Sequence, residues 1–116
     1  MESRPLGKTD IHLSPIIMGT WQTGKSMWTG IDDAESERAI RAAMDAGITT
    51  FDTAEAYGSG HSERILGRAL QGHRSRVVLA TKVFGRMGPG PNQTGLSRSH
   101  IMQAVDASLK RLGTDY

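Results

Sequence analysis

The strongest constraint on the fold is a regular alternation of short apolar segments with longer amphipathic ones. Segments that fit strands lie at 15–20, 48–51 and 77–81, and segments that fit helices lie at 32–46, 59–72 and 97–113. Strands that alternate with helices at this spacing are typical of parallel sheets with right-handed crossovers. The sequence therefore predicts an α/β chain, and the repeated βα unit is its only internal periodicity.

Local signals predict how the elements begin and end. Residues 4–6 and 11–13 flank a polar turn and predict a β-hairpin ahead of the first strand. Asp32, with Glu35 placed to reach back, and Ser97 are suitable N-caps. Gly47, Gly72 and Gly113 are expected to end the three helices, and Thr114–Tyr116 to begin a fourth strand. The third helix is expected to bury the stripe Ile101, Val105, Ser108, Leu109 and Leu112.

Polar residues follow the three predicted strands at the point where each strand ends. They are Gly19–Trp21, Asp52 and Lys82. The carboxyl ends of the strands form the active face of a (β/α)₈ barrel. A doubly wound fold would carry a glycine-rich turn after its first strand, but 19–24 does not match G-x-G-x-x-G and 58–63 lacks its third glycine. The pattern therefore favours a barrel.

Composition restricts the possible classes of protein. The chain has 116 residues, no cysteine and a net charge of +2, so disulfides and thiolate chemistry are excluded. No apolar run approaches the roughly 18 residues of a membrane span, and no signal peptide follows Met1; we therefore expect a cytoplasmic protein that does not bind membranes. The arginines are scattered among acids, which argues against a nucleic-acid partner. The histidines lack paired spacing, so no metal site is predicted.

Asp52, Tyr57 and Lys82 are the parts of a tunable proton donor. Reduction of a carbonyl by hydride needs a proton for the developing alkoxide, and a free phenol, with a pKa of about 10, donates poorly at neutral pH. A nearby ammonium lowers the pKa of a phenol, and a carboxylate would balance that ammonium. Plainer roles remain open, because Asp52 could bond only to its own loop, Tyr57 could simply pack, and Lys82 could reach into solvent.

A series of short motifs resembles the amino-terminal part of the aldo-keto reductases. They are Gly19–Trp21, Gly47–Thr49, Phe51–Ala54, Tyr57–Gly58, Ser62–Glu63, Leu66–Leu70, Ala80–Val83 and Ser108–Tyr116. Each motif is weak alone, but their joint order and spacing are specific. The resemblance implies the N-terminal part of a (β/α)₈ TIM barrel, with the hairpin plugging its bottom and about three and a half βα units present.

The resemblance also implies a function. It predicts NADPH-dependent reduction of aldehydes or ketones, a small-molecule carbonyl substrate, catalytic roles for Asp52, Lys82 and Tyr57, and Tyr57 as the proton donor. The cofactor contacts it implies are Gly19, Thr20, Trp21 and Asp52. A tucked indole explains Trp21 equally well. Trp28 and Phe84 either line a substrate mouth or pack in their loops.

The length of the chain limits these expectations. A (β/α)₈ barrel takes about 250 residues and eight strands, so residues 1–116 are expected to be a single incomplete domain. The resemblance implies that the family's active-site histidine and most cofactor contacts lie elsewhere, and that the isolated chain is inactive. Two alternatives stay open: a regulatory or binding subunit with the reductase fold, as in some relatives associated with potassium channels, and a half-barrel that pairs with another chain. The carbonyl substrate, the preference between NADPH and NADH, and the oligomeric state are left open.

Overall fold

Two small sheets and three helices form the chain, and the computed structural model describes all 116 residues. The elements are β1 (Arg4–Pro5), β2 (His12–Leu13), β3 (Met18–Gly19), α1 (Asp33–Asp45), β4 (Thr50–Asp52), α2 (His61–Ala69), β5 (Val78–Ala80) and α3 (Arg98–Leu112). Short 3₁₀ turns cover Trp21–Gly24 and Arg74–Arg76. Strands β1 and β2 pair antiparallel, and the second sheet has the parallel order β3-β4-β5. The predicted α/β class and hairpin are therefore confirmed.

The register of the parallel sheet separates a row that faces the helices from a row on the opposite face. One row across the sheet is Met18, Phe51 and Leu79, and the next is Gly19, Asp52 and Ala80. Because successive strand residues point to opposite faces, the two rows face opposite sides. Asp52 thus lies between two small residues at the carboxyl end of the sheet.

The core lies between the first row and the helices. Phe51, Ile40, Ile65 and Leu66 have no exposed surface, and Leu112 joins them from α3. Full burial of a side chain of this size contributes about 1.5–3 kcal/mol. This layer therefore fixes the helices on one side of the sheet and leaves the Asp52 row on the other.

The predicted helix ends are largely confirmed. The Asp32 carboxylate accepts a hydrogen bond from the Ala34 amide at 2.9 Å, and Ser97 Oγ accepts one from the His100 amide at 3.1 Å. Gly47 and Gly113 have φ values of 91° and 67°, as expected for residues that end helices. The expected bond from Glu35 back to Asp32 is not formed, and the Glu35 side chain is exposed.

The hairpin lies at the amino-terminal end of the parallel sheet. The Ser14 amide donates to Thr50 Oγ1 at 3.0 Å, and Ser14 Oγ accepts from the amides of Thr49 and Thr50 at 3.1 Å. Thr50 begins β4, so these bonds attach the hairpin to the sheet end opposite Asp52. This is the bottom position that the resemblance implied.

Both predicted terminal strands differ from the structure. The run 15–20 is a strand only over Met18–Gly19, because Pro15 has no amide hydrogen and the strand pairs with one neighbour only. Residues 114–116 form no strand. Instead, Arg74 donates to the Tyr116 carbonyl at 2.8 Å and lies 3.9 Å from the centre of its ring.

The buried face of α3 differs in part from the predicted stripe, in which Ser108 and Leu112 are buried and Leu109 is half-buried. Ile101 and Val105 are 38% and 46% exposed, whereas the buried positions are His100, Ala104, Ser108 and Leu112. Close packing against α2 selects this face, because a Cβ added at Gly67 would lie 2.6 Å from the Leu112 carbonyl oxygen. The contact with α2, and not the apolar content of the helix, therefore determines which face of α3 is buried. None of the three helices has the length and apolarity that a membrane span requires.

Candidate active site

The Lys82 ammonium joins the predicted catalytic residues at the carboxyl end of the sheet. Its Nζ donates to Asp52 Oδ2 at 2.7 Å, to the Thr53 carbonyl oxygen at 2.8 Å and to Tyr57 Oη at 3.4 Å. An ammonium has three hydrogens, so these acceptors use all of them. The structure therefore brings Asp52, Tyr57 and Lys82 into one cluster.

Strand ends and one turn position these three side chains. Asp52 is the last residue of β4, and Lys82 comes two residues after β5. Tyr57 lies in the turn before α2, where its amide donates to the Ala54 carbonyl at 3.2 Å. The parallel pairing of β4 with β5 places the two charged side chains side by side. The acid and the amine are therefore held by the sheet, and the phenol is held by a loop.

The surroundings of Lys82 favour its charged form. Partial burial alone acts to lower the pKa of Lys82, but the hydrogen bond to Asp52, supported by the bond to Tyr57, outweighs burial and raises the pKa above its usual value. The side chains of Lys82 and Asp52 are 49% and 35% exposed. A positive charge is therefore maintained beside the phenol at neutral pH, within reach of small molecules in solution.

Two indole rings extend the rim beside Tyr57. The Trp21 ring centre lies 6.4 Å from that of Tyr57 and 6.1 Å from that of Trp28, which it meets edge to face. Trp21 and Trp28 are 44% and 46% exposed. The rings therefore form an accessible aromatic wall next to the hydroxyl of Tyr57.

The backbone of Gly24 packs directly on the backbone of Gly58. A Cβ added at Gly24 would lie 2.6 Å from the Tyr57 carbonyl carbon, and one added at Gly58 would overlap the Gly24 carbonyl. Gly58 also has a φ of 61°, a conformation that glycine adopts at little cost. This contact fixes the turn that carries Trp21 against the turn that carries Tyr57.

Buried hydroxyl groups form a second link between these turns. Ser62 Oγ lies 2.8 Å from Thr20 Oγ1 and 3.1 Å from the hydroxyl oxygens of Thr23 and Thr53. Thr20 Oγ1 in turn contacts the Asp52 carbonyl oxygen at 3.0 Å. The side chain of Thr20 is thus directed into the protein, while Gly19 and Trp21 remain exposed.

An ion cluster anchors the loop that follows the Trp21 turn. The Asp33 carboxylate contacts Lys25 Nζ at 2.6 Å and His61 Nε2 at 2.9 Å. The hydrogen bond from Lys25, followed by that from His61, lowers the pKa of Asp33 to about 2. Because Asp33 begins α1 and His61 begins α2, this cluster ties the loop to two helices.

Two buried acid–base pairs lie beneath the rim, and neither was predicted. Glu63 pairs with Arg111, and Glu55 faces His100 at 3.3 Å. Ser62–Glu63 and Arg111 fall within motifs that carried the resemblance, but the partners are separated by 48 and 45 residues. No periodicity within one sequence connects positions so far apart, so the pairs become visible only in the fold.

The inner face of the sheet, away from the helices, carries an open groove. It has a volume of about 430 Å³ and is lined by Leu6, Leu13, Ile17, Gly19, Thr50, Asp52, Val78 and Ala80. A Cβ added at Gly19 would meet no atom within 4 Å. Gly19 and Asp52, at the carboxyl end of the groove, therefore leave room for a ligand group, whereas Leu6 and Leu13 belong to the hairpin, and no arginine or lysine lines the groove to bind the phosphates of a dinucleotide. No group of three or more histidine, aspartate or glutamate side chains is arranged to hold a metal ion.

Comparison with known proteins gives consistent matches along the chain. Residues 15–116 match the model of the aldo/keto reductase family. The chain is 45% identical to aldo-keto reductase YhdN of Bacillus subtilis, covering all of this chain and 36% of that protein. It is 40% identical to a probable voltage-gated potassium channel subunit beta of Arabidopsis thaliana, covering all of this chain and 35% of that protein. The chain thus spans about a third of the length of these curated relatives.

A solved structure agrees with the sequence matches. The holo form of aldo-keto reductase AKR11C1 from Bacillus halodurans superposes with a TM-score of 0.85 at 36% identity, covering all of this chain and 38% of that one. The three parallel strands and their helices are accordingly part of a (β/α)₈ barrel. This chain belongs to the aldo/keto reductase family.

Proposed function

We propose that the chain forms the amino-terminal part of an NADPH-dependent oxidoreductase that reduces aldehydes or ketones to alcohols. The observation that carries the proposal is the contact of the Lys82 ammonium with both Asp52 and Tyr57. A purely structural surface has no need of an ammonium held against a phenol. Because the chain spans about a third of its relatives, the activity is proposed for the whole protein that carries it.

Tyr57 is proposed to donate its hydroxyl proton to the carbonyl oxygen of the substrate. The phenolate that forms lies 3.4 Å from Lys82 Nζ. Two unit charges at this separation attract by about 1 kcal/mol in water and by about 5 kcal/mol at an effective dielectric constant of about 20. The attraction appears only as the proton leaves, so it stabilises the transition state more than the ground state.

Asp52 is proposed to keep Lys82 charged and directed at the phenol. A partly buried ammonium without an anion would lose part of its charge or turn towards solvent. The 2.7 Å bond to Asp52 opposes both outcomes. The carboxylate therefore acts on the amine, and the amine acts on the proton donor.

NADPH, when bound, supplies the hydride for this reaction. Gly19, Thr20, Trp21 and Asp52 are the proposed contacts for its nicotinamide end. Gly19, Trp21 and Asp52 would contact it directly, whereas Thr20, which is 1% exposed, would hold its neighbours in place through its hydrogen bond to the Asp52 carbonyl oxygen. The open space at Gly19 supports this assignment. Contacts to the phosphates and adenine are proposed to come from residues of the whole protein outside this chain.

The proposal is tested by NADPH oxidation in the whole protein with a panel of aldehydes and ketones. Loss of a general acid costs about 10²- to 10⁴-fold in rate, so Tyr57→Phe should lower kcat by that factor. Tyr116→Phe is the matched control and should retain full activity. Tyr116 contacts Arg74, which precedes β5, so it lies at the end of the sheet opposite Lys82. Equal activity of the Tyr57→Phe and unsubstituted proteins would overturn the proposal.

The isolated chain provides a second test. It contains two tryptophans, Trp21 and Trp28, and both lie on the rim beside Tyr57. We expect NADPH to quench their fluorescence without saturation at micromolar concentrations, because the groove carries no cation for the phosphates. Saturation at micromolar NADPH would show that these residues suffice for tight binding.

A regulatory subunit with the reductase fold is the second candidate function. The 40% identity to the probable potassium channel subunit of Arabidopsis thaliana supports it. Tyr57→Phe separates the two functions, since reductase activity should collapse while binding to a partner protein should persist. Absence of NADPH oxidation with every carbonyl compound, together with intact partner binding, would favour the subunit.

A further inference from the structure

Glu55 and His100 form a buried pair that the proposed proton transfer does not use. Their side chains are 2% and 4% exposed, and His100 Nε2 lies 3.3 Å from Glu55 Oε1. The contact joins an imidazole nitrogen to a carboxyl oxygen, a pairing in which one hydrogen is shared between the two groups. A pair this far from solvent is costly to maintain unless its geometry is complete.

Glu55 also bonds to the backbone at two points, Lys82 and Phe84, where the loop after β5 begins. Its amide donates to the Lys82 carbonyl oxygen at 3.3 Å, and its Oε1 accepts from the Phe84 amide at 3.3 Å. Glu55 lies three residues after Asp52 and two before Tyr57. One residue thus joins the Tyr57 turn to the segment that carries the ammonium.

The backbone at Phe84 needs such a restraint. Its φ is 144°, a conformation that costs a residue other than glycine about 1–3 kcal/mol and persists only when neighbouring contacts enforce it. The Gly95 amide donates to the Phe84 carbonyl at 2.9 Å, and a Cβ added at Gly85 would lie 2.5 Å from Ala56 Cβ. The loop after β5 is therefore pressed against the Tyr57 turn at the point where Glu55 accepts its hydrogen bond.

His100 connects this contact to the helical layer. It lies in the first turn of α3, and its amide bonds to the capping hydroxyl of Ser97 at 3.1 Å. The other end of α3 packs on α2 at Gly67. His100 thus gives the Glu55 carboxylate a fixed partner in the protein interior.

We propose that Glu55 and His100 are positioning residues. His100 holds the Glu55 carboxylate in place, and that carboxylate keeps residues 82–84 against the Tyr57 turn. The Lys82 ammonium thereby stays in contact with the Tyr57 hydroxyl. This inference rests on the proposed function of that cluster. Neither residue lines the groove on the inner face of the sheet, and both are buried. Their effect is on the rate of proton donation and not on substrate binding.

Steady-state kinetics of the whole protein test the proposal. A misplacement of about 1 Å costs up to about 100-fold in rate, so Glu55→Ala should lower kcat by about 10- to 100-fold and leave KM for the carbonyl substrate within about threefold. Glu55→Gln keeps an acceptor oxygen for the Phe84 amide and should recover most of kcat. The double substitution of Glu55 and His100 by Ala should be no slower than Glu55→Ala, because both residues act through one contact.

Gln103→Ala is the matched control. Gln103 lines the same cavity of about 120 Å³ as Glu55 and His100, but its side chain bonds only to Ser99, and the substitution should leave kcat unchanged. Failure of Glu55→Gln to exceed Glu55→Ala, or equal changes in kcat and KM, would overturn the proposal.

Lys82→Met separates this proposal from the proposed function. It removes the ammonium itself, so the proposed function requires a lower kcat in this variant whatever the role of Glu55. An unchanged kcat in Glu55→Ala, with a lowered one in Lys82→Met, overturns the positioning role and leaves the proposed function intact. Should Glu55→Ala not fold, the same comparison is made with His100→Gln.

Discussion

Paired acids and bases lie both at the rim and in the interior of this protein. The rim pair Lys82–Asp52 and the interior pair Arg111–Glu63 differ in exposure. At the rim, the side chains of Lys82 and Asp52 are 49% and 35% exposed. In the interior, those of Arg111 and Glu63 are 14% and 0% exposed. Exposed ion pairs contribute about 0–1 kcal/mol to stability, whereas removal of one partner of a buried pair costs about 3–5 kcal/mol. The same chemistry is therefore expected to serve structure in one place and reactivity in the other.

The groups around each pair explain why the interior pair is expected to stabilise the fold and the rim pair to take part in a reaction. The carboxylate of Glu63 also accepts from Thr81 Oγ1 at 2.6 Å, and Arg111 reaches Ser108 Oγ at 3.3 Å, so protein groups surround these charges. At the rim, Lys82 shares its hydrogens with the Tyr57 hydroxyl, which is accessible beside the aromatic wall. A pair that is closed off can only hold elements together, whereas an open pair can act on a solute.

Breaking the interior pair should have the largest effect on stability. Arg111→Ala leaves the carboxylate of Glu63, which has no exposed surface, without its cation, so the free energy of unfolding should fall by about 3–5 kcal/mol. Urea denaturation followed by circular dichroism measures this change. Lys110→Ala, on the exposed side of α3, is the control and should change stability by less than about 0.5 kcal/mol. Equal effects of the two substitutions would contradict a structural role for the interior pair.

Substitution at the contact between the rim turns should have the next largest effect. Gly58→Ala adds a Cβ that overlaps the Gly24 carbonyl and also forces alanine into a positive φ, so we expect a loss of about 2–4 kcal/mol, combining the conformational and steric costs. Gly72→Ala is the matched control, because Gly72 has a φ of 80° but open space around it. It should lose about 1–2 kcal/mol, from the conformational cost alone. Similar losses at both positions would show that the contact with Gly24 contributes nothing.

The ion cluster at Asp33 should give a smaller, pH-dependent effect. Its pKa is lowered from 3.8 to about 2, so the unfolded state binds its proton first, and the stabilisation is present above pH 3.8 and lost as the pH falls towards 2. Because the side chain is 35% exposed, we expect about 1 kcal/mol after allowing for solvent screening. Asp33→Asn should remove that part of the acid sensitivity, measured as urea midpoints near neutral pH and near about pH 2. An unchanged difference between the two midpoints would contradict the assignment.

The smallest effect on stability is expected at the rim pair itself. Lys82→Met should change the free energy of unfolding by less than about 1 kcal/mol. The pKa of Lys82 is raised, so its contribution is present below the unfolded-state pKa of about 10.4 and is lost as the pH rises through the higher folded value. Lys82→Met should therefore be slightly less stable than the unsubstituted protein below about pH 10.4, and the two stabilities should converge above the folded-state pKa of Lys82. A loss as large as that of Arg111→Ala would remove the distinction between the two pairs.

The elements and the cluster at the rim could be predicted from the sequence because both have local signals. The N-caps Asp32 and Ser97 and the helix-ending Gly47 and Gly113 each act within one turn of chain, and all four are confirmed. Asp52 and Lys82 were found because they follow apolar strands, and parallel pairing makes neighbouring strand ends converge.

The features that were missed depend on contacts between distant parts of the chain. The burial of His100 in place of Ile101 follows from how closely α3 packs on α2, which composition does not specify. The strand predicted at 15–20 is shortened because pairing depends on which neighbours are present. The catalytic and cofactor roles of Gly19, Thr20, Trp21, Asp52, Tyr57 and Lys82 remain predictions, although three of these side chains meet as expected.

The rate of carbonyl reduction by the whole protein, compared between Lys82→Met and the matched control Lys110→Met, tests the central claim most directly. Lys82 Nζ lies 3.4 Å from Tyr57 Oη, and two unit charges at this separation attract by about 1 kcal/mol in water and by about 5 kcal/mol at an effective dielectric constant of about 20. Loss of an attraction of this size predicts a kcat lower by about 10-fold or more in Lys82→Met, with no change in Lys110→Met, whose side chain is exposed on α3. Equal kcat values in Lys82→Met and the unsubstituted protein, with both proteins folded, would contradict the claim that Lys82 assists proton donation by Tyr57.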